Sequence, residues 1–152
     1  DPEMSRGLGD VYKRQVYNML ITKEMDYSLR MLSALASGEQ MTMNDICSRE
    51  LAPQQFGYKI LKKLAKAGMV EIIRGNGGGC RLNCDLSQVT LYELMQAMGS
   101  ETEISACMHP GYECSRRLQN HNCCTIHNNL AGIQRVLDTE LKKHTLADII
   151  GI

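Results

Sequence analysis

Cys107, Cys114, Cys123 and Cys124 crowd into one short stretch, and His127 follows Cys124 by three positions. Thiolate sulfur and imidazole nitrogen are the side-chain donors that suit iron–sulfur clusters and zinc, so this group can hold either. If Cys124 opens a helix, Cys124 and His127 lie on one face, a turn apart, and can serve one centre. Thiolates on a flexible loop can then close around that centre with little strain. Two readings without metal compete: free thiols with no ligand role, and a thiol–disulfide sensor, for which no Cys-x-x-Cys pair is present. His109 and His121 read as surface loop residues, either of which could replace His127. Cys47, Cys80 and Cys84 are scattered and read as non-ligands.

The compartment bears on those thiols. No apolar run approaches the length of a membrane span, and the first residues lack the apolar stretch of a secretory signal. A cytoplasmic address is expected, where cysteines are kept reduced and serve as ligands or buried thiols rather than disulfides. With 152 residues, 43% hydrophobic and 22% charged, the chain can bury one core and carry one accessory element. Residues 1–18 show mixed charge, Gly7 and Gly9, and no periodicity. They are expected to be a disordered or added leader, with Met19 as the native start.

A second kind of chemistry lies upstream. The net charge is zero, but between Pro53 and Cys84 the bases Lys59, Lys62, Lys63, Lys66, Arg74 and Arg81 face only Glu71. From Asp85 to Ser105 the charged residues are all acidic. A local basic surface binds phosphate even when the total charge cancels. A lysine-rich helix face alone is more often merely solvated, so the elements around it carry the argument.

Thr22 is a natural N-cap for a first helix running to about Ser37 and closing at Gly38. Its apolar positions Met25, Leu29 and Leu32 repeat at helical spacing. Thr42 with Asp45 marks a short second helix, about Met43 to Arg49. A third, about Pro53 to Ala67, ends at Gly68, with Phe56, Ile60 and Leu64 expected to face the core. Met69 to Arg74 is a strand by its β-branched content, Gly75 to Gly79 a turn, and Cys80 to Leu82 the returning strand. Thr90 and Glu93 open a fourth helix to Met98. Gly99 to Cys123 reads as loop. A long helix from Cys124 to Lys143 carries the stripe Ile126, Leu130, Ile133, Leu137 and Leu141.

Helix, short turn, helix and glycine-tipped hairpin make a winged helix-turn-helix. The expected fold is mainly α with a small β-hairpin wing, plus a long C-terminal dimerisation helix. The boundaries are 19–84 for the DNA-binding domain, 85–123 for a helix and the cysteine-rich sensor loop, and 124–152 for the dimerisation helix and tail. In this arrangement the third helix enters the major groove. Gln54 and Gln55 are the candidates for reading base edges, with Tyr58 beside them. Lys59, Lys62 and Lys63 are the candidates for phosphates, and Arg74, Asn76 and Arg81 surround the wing tip. The glycine run is no nucleotide cradle, because it lacks the Lys-Ser ending and opens no helix. No nucleophile–base pair, metalloprotease motif or nucleotide fingerprint points to an enzyme. An electron carrier would not need the basic helix or wing.

Several segments, in order, resemble the Rrf2 family of winged-helix bacterial transcription regulators. They are Ile21-Thr22-Lys23-Glu24-Met25-Asp26-Tyr27, Leu64-Ala65-Lys66-Ala67-Gly68-Met69-Val70, the wing Arg74-Gly75-Asn76-Gly77-Gly78-Gly79, the cysteine loop, and Thr145-Leu146-Ala147-Asp148-Ile149-Ile150. The resemblance spans Met19 to the C-terminus. It implies a homodimer joined through the long helix, on an approximately palindromic double-stranded DNA operator, with no membrane and no small-molecule substrate. It also implies a repressor sensing iron–sulfur status, redox state or nitric oxide through a cluster on Cys107, Cys114 and Cys124.

For the fourth ligand the resemblance gives two choices. Cys124-Thr125-Ile126-His127 matches the ending that makes His127 the ligand of a 2Fe–2S centre, the favoured reading. Asp26 matches the aspartate that completes a 4Fe–4S centre in another branch. The loop spacings are wider than in either branch, and Cys123 offers a further sulfur. A zinc-bound or cluster-free regulator of the same fold, signalling through thiols or a protein partner, is the alternative.

Overall fold

A computed structural model describes residues 19–152; the expected leader over 1–18 lies outside the described residues. Local capping chemistry starts the first helices. Thr22 accepts the Met25 N–H at 3.2 Å at the head of α1, Lys23–Ala34. Thr42 accepts the Asp45 N–H at 3.2 Å at the head of α2, Met43–Glu50. Each hydroxyl satisfies a helix-end donor that the helix itself leaves unpaired. Leu51 turns the chain in the left-handed region at φ 55°, and Pro53 then caps α3, Gln54–Lys66. Gly68, at φ 77°, ends that helix in the left-handed conformation that its lack of Cβ permits.

The three helices pack on one another through a shared core. Met25, Met31, Leu32 and Leu35 meet Ile46, Ile60 and Leu64, all with essentially no exposed surface. The buried face of α3 is Gly57, Ile60, Leu61 and Leu64. Phe56 is therefore not a core residue as its spacing had led us to expect. It stands at the margin of that face, 41% exposed, with its ring 6.0 Å from that of Tyr27.

The wing is a two-stranded antiparallel hairpin of β1, Val70–Ile73, and β2, Gly79–Leu82, with Val70 opposite Leu82 and Ile73 opposite Gly79. It is tied to the start of α2, because Met41 and Cys80 exchange backbone hydrogen bonds of 2.9 and 2.8 Å. Gly79 is required by that junction: a Cβ there would lie 2.3 Å from the Met41 carbonyl oxygen.

Beyond the wing, a capping box of Thr90 and Glu93 opens α4, Leu91–Ala97. The stretch expected as loop holds a 3₁₀ turn, Ala106–Met108, and a helix α5, Ser115–Gln119, both too short for periodicity to reveal. The long helix α6 is Thr125–Lys143, with Cys124 as its N-cap rather than its first helical residue. The expected tail forms a further helix α7, Leu146–Ile150, opened by a capping box of Thr145 and Asp148. It returns to the DNA-binding half: Leu146 and Ala147 are buried against the common core, and α7 packs on α1. Backbone bonds from Leu146 to Val89 (2.8 Å) and from Ala147 to Leu86 (2.9 Å) fix that return. No helix among the described residues is long and apolar enough to cross a membrane.

Gly79→Ala tests the junction between wing and α2. Forcing a methyl against fixed backbone is expected to cost about 1–3 kcal/mol, read as a lower urea midpoint. An unchanged midpoint would mean that the Met41 contact does not hold the wing.

Candidate functional site

The exposed side of α3 is what remains once Gly57, Ile60, Leu61 and Leu64 are buried. Gln55, Tyr58, Lys62 and Lys66 stand on it in solvent, with Gln54 at its first turn. The side chains expected to read DNA do not share one environment. The Gln54 amide donates to the Asn44 side chain on α2, which fixes its orientation. Lys59 is 63% exposed, with Glu24 at 3.8 Å, a contact too loose and wet to hold it. At the wing, Arg74 and Asn76 are exposed, whereas Arg81 is paired across the hairpin with Glu71 at 2.8 Å.

Lys63 differs from the other bases. Its ammonium turns inward, donating to Glu24 Oε1 at 2.6 Å and to the Met98 carbonyl at 3.1 Å. The structure thus offers Lys62, Lys66 and Arg74 as the freest cations and ties Lys63 to α1 and α4. Sequence spacing cannot reveal this, because Met98 lies 35 residues away.

The cysteine segment follows α4. Cys124 is buried at the head of α6, and His127 stands on the first turn of that helix. The Nδ1 of His127 is buried without a hydrogen-bond partner. Buried ring nitrogens are normally paired, so an orphan is a nitrogen with capacity to spare for a ligand. The 3₁₀ turn bearing Cys107 packs on α6, and Cys107 Sγ lies 3.3 Å from Ser105 Oγ. Cys114 is half-buried as the N-cap of α5, and Cys123 is exposed. Among the described residues, no three of the His, Cys, Asp and Glu side chains stand close enough to hold one metal ion. Cys124 and His127 are brought to the head and first turn of α6, without a third such donor completing a set. Asp26 is on α1, in an ion pair with Arg30 at 2.9 Å.

Three further thiols lie outside this segment. Burial pushes Cys47 and Cys80 up from the ordinary thiol range, and burial together with the Asp85 charge does the same for Cys84. A thiol that keeps its proton is a poor nucleophile.

The apolar stripe expected to join two copies is split by the fold. Leu141 is buried, and Leu137 packs against the core. Ile126, Ile133 and Val136 are 53%, 58% and 70% exposed in the single chain. Val136 had not been singled out from the spacing, although it extends the same bare surface.

Comparison with known proteins gives this geometry a family. The profile of the Rrf2 family, described as an iron-dependent transcriptional regulator, matches residues 21–151. The chain is 30% identical to the HTH-type transcriptional regulator NsrR of Bacillus subtilis over 142 residues, covering 87% of this chain and 90% of that protein. Over 95 residues it is 33% identical to Protein aau3 of Rhizobium meliloti, covering 61% of this chain and 62% of that protein. Its fold is similar to that of CymR, the global cysteine regulator of B. subtilis, with a TM-score of 0.58 at 18% identity, covering 88% and 97% of the two chains. With its winged helix-turn-helix and its match over nearly the whole described length, the chain belongs to the Rrf2 family of DNA-binding transcriptional regulators.

Proposed function

We propose that the protein is a homodimeric repressor of an approximately palindromic operator, and that its cysteine segment reports iron–sulfur status, redox state or nitric oxide. The observation that carries the sensing reading is the unpartnered, buried Nδ1 of His127 beside Cys124, in a family described as iron-dependent. Cys107, Cys114, Cys124 and His127 would hold a 2Fe–2S cluster. When bound, such a cluster supplies a redox-active link between the loop and α6 that oxidation or nitric oxide can break. Asp26 as fourth ligand, with a 4Fe–4S centre, is less favoured because its carboxylate is already paired with Arg30. Iron per chain separates these two assignments.

The chain's own residues do the rest. Gln55 reaches base edges, Lys62, Lys66 and Arg74 hold phosphates, and the bare Ile126, Ile133 and Val136 face a second copy. Ordering of the loop favours one spacing of the two recognition helices, so the signal shifts a population of dimer geometries. A cluster-free or zinc-bound regulator of the same fold is the second reading. That no three of the His, Cys, Asp and Glu side chains stand together among the described residues favours it.

Anaerobic purification with a visible spectrum and iron and sulfide counts decides between them. Charge-transfer bands with matching iron and sulfide are expected, lost in Cys124→Ala and His127→Ala and kept in Asp26→Ala. A colourless chain that cannot be reconstituted would establish the second reading. For DNA, selection from a random duplex library should yield a specific, salt-sensitive site. Gln55→Ala should relax discrimination at one base position by about 1–3 kcal/mol, while Lys62→Ala lowers the salt slope by roughly one. Equal loss on all sequences for Gln55→Ala would remove it from base readout. Ile133→Glu should convert the dimer to a monomer in sedimentation, and a dimer that survives it would place the interface elsewhere.

A further inference from the structure

The segment between α4 and the cysteines is gripped at both ends by side chains from other elements. At its far end stands Gln134, in the middle of α6 and 8% exposed. Its Oε1 accepts the Ile104 N–H at 2.7 Å, and its Nε2 donates to the Thr102 carbonyl at 2.9 Å and to Asp138 at 2.9 Å. A side-chain amide thus pairs with backbone as a neighbouring strand would. Cys107 follows this clamp by three residues.

At the near end the chain leaves α4 through Met98, Gly99 and Ser100. Ser100 is still bonded to α4, donating to the Met95 carbonyl at 2.9 Å. Between the last residue held by α4 and the first held by Gln134 there is only Glu101. A single residue cannot absorb a displacement of Thr102 relative to α4. The carbonyl of Met98, at that same end of α4, is the one that accepts from Lys63 on the recognition helix. Glu24 holds the same ammonium from α1. The open groove between these elements is lined by Glu24, Lys63, Met98, Glu101, Ile104 and Leu137, so it runs from the recognition helix to the long helix.

Buried amides and half-buried ammonium groups need partners in any fold. What goes beyond that need is which groups they choose: both take backbone of one short stretch, on either side of a single free residue. We propose that Lys63 is a positioning residue that passes the placement of the cysteine segment on α6 to the recognition helix, with Gln134 as the clamp that sets that placement. The inference rests on the DNA-binding reading above and adds to it the route by which the sensor segment acts.

A double-mutant cycle tests it, on the duplex that the wild-type protein selects from the random library. Gln134→Leu, which keeps the volume and removes both clamp bonds, is expected to change affinity for that duplex by about 5-fold or more, the lower end of ordinary coupling. In a Lys63→Met background the same change should alter affinity by less than about 2-fold, and Lys63→Arg should restore the response. Should Lys63→Met fail to fold, Glu24→Gln, which loosens the ammonium without removing it, takes its place. Hydrogen exchange on the DNA-free protein gives a second readout. Gln134→Leu should speed exchange at Thr102 to Ile104 and in the last turns of α3, and with Lys63→Met the effect should stop at Ile104. Equal effects of Gln134→Leu in both backgrounds, or none in either, would overturn the proposal. Absence of any selected duplex would sink the DNA-binding reading instead, and the exchange experiment would still decide the coupling.

Discussion

The structure depends on the seating of one amphipathic helix. Ile60 and Leu64 on α3 have no exposed surface and are packed among Leu32, Leu35 and Ile46 from the two preceding helices. A side chain buried on that scale contributes about 1.5–3 kcal/mol relative to exposure, so a slip or roll of α3 is costly. Its other face, with Gln55, Tyr58, Lys62 and Lys66, stays bare in the single chain. Gly57 shows how close the seating is: a Cβ there would lie 2.6 Å from Met43 Sδ and 3.1 Å from Cys47 Sγ. The two helices of the motif approach within side-chain contact because one of them has no side chain at that point. The wing obeys the same logic, since Gly79 lets β2 lie against the Met41 carbonyl.

The long helix meets a different constraint, because it has two sets of neighbours. Its C-terminal end belongs to the core through Leu141, and its middle and beginning present bare isoleucine and valine. A polar residue in the midst of an apolar stripe would ordinarily weaken it. Gln134 does not, since both of its N–H donors and its carbonyl oxygen find partners in Thr102, Asp138 and Ile104. The polar residue specifies which stretch of chain lies there, where an apolar residue would accept many.

Much of this was legible in the residues. Thr22, Thr42 and Thr90 announced helix starts because capping is a bond across three residues, and all three made it. Gly68 ended α3 for an equally local reason. The wing followed from β-branched residues around a glycine turn. What escaped was set at a distance. Phe56 fits a helical stripe as well as Gly57 does, and only the place of α1 and α2 decides between them. Lys63 has the spacing of its neighbours Lys59 and Lys62, yet Met98 and Glu24 draw it inward. Cys107, Cys114, Cys124 and His127 were legible as donors by type, but their distances were not, because Cys107 and Cys114 hang on a loop whose 3₁₀ turn and α5 are too short to leave a pattern. Helix α7 was missed for the same reason, although its capping box at Thr145 and Asp148 was there to be read.

The return of α7 to α1 has a consequence for how the protein comes into being. Met25 and Leu146 belong to the same core, yet 121 residues separate them along the chain. During synthesis the first waits on the order of ten seconds for the second at ordinary elongation rates. Over that interval the helix-turn-helix and wing have emerged, but the surface that Leu146 and Ala147 cover is still open to water. The DNA-binding half therefore completes its core only after the cysteine segment and the long helix have been made. A chain arrested before that point carries α3 without the complete core that seats it, so completion of the DNA-binding half is tied by the order of translation to possession of the cysteine segment.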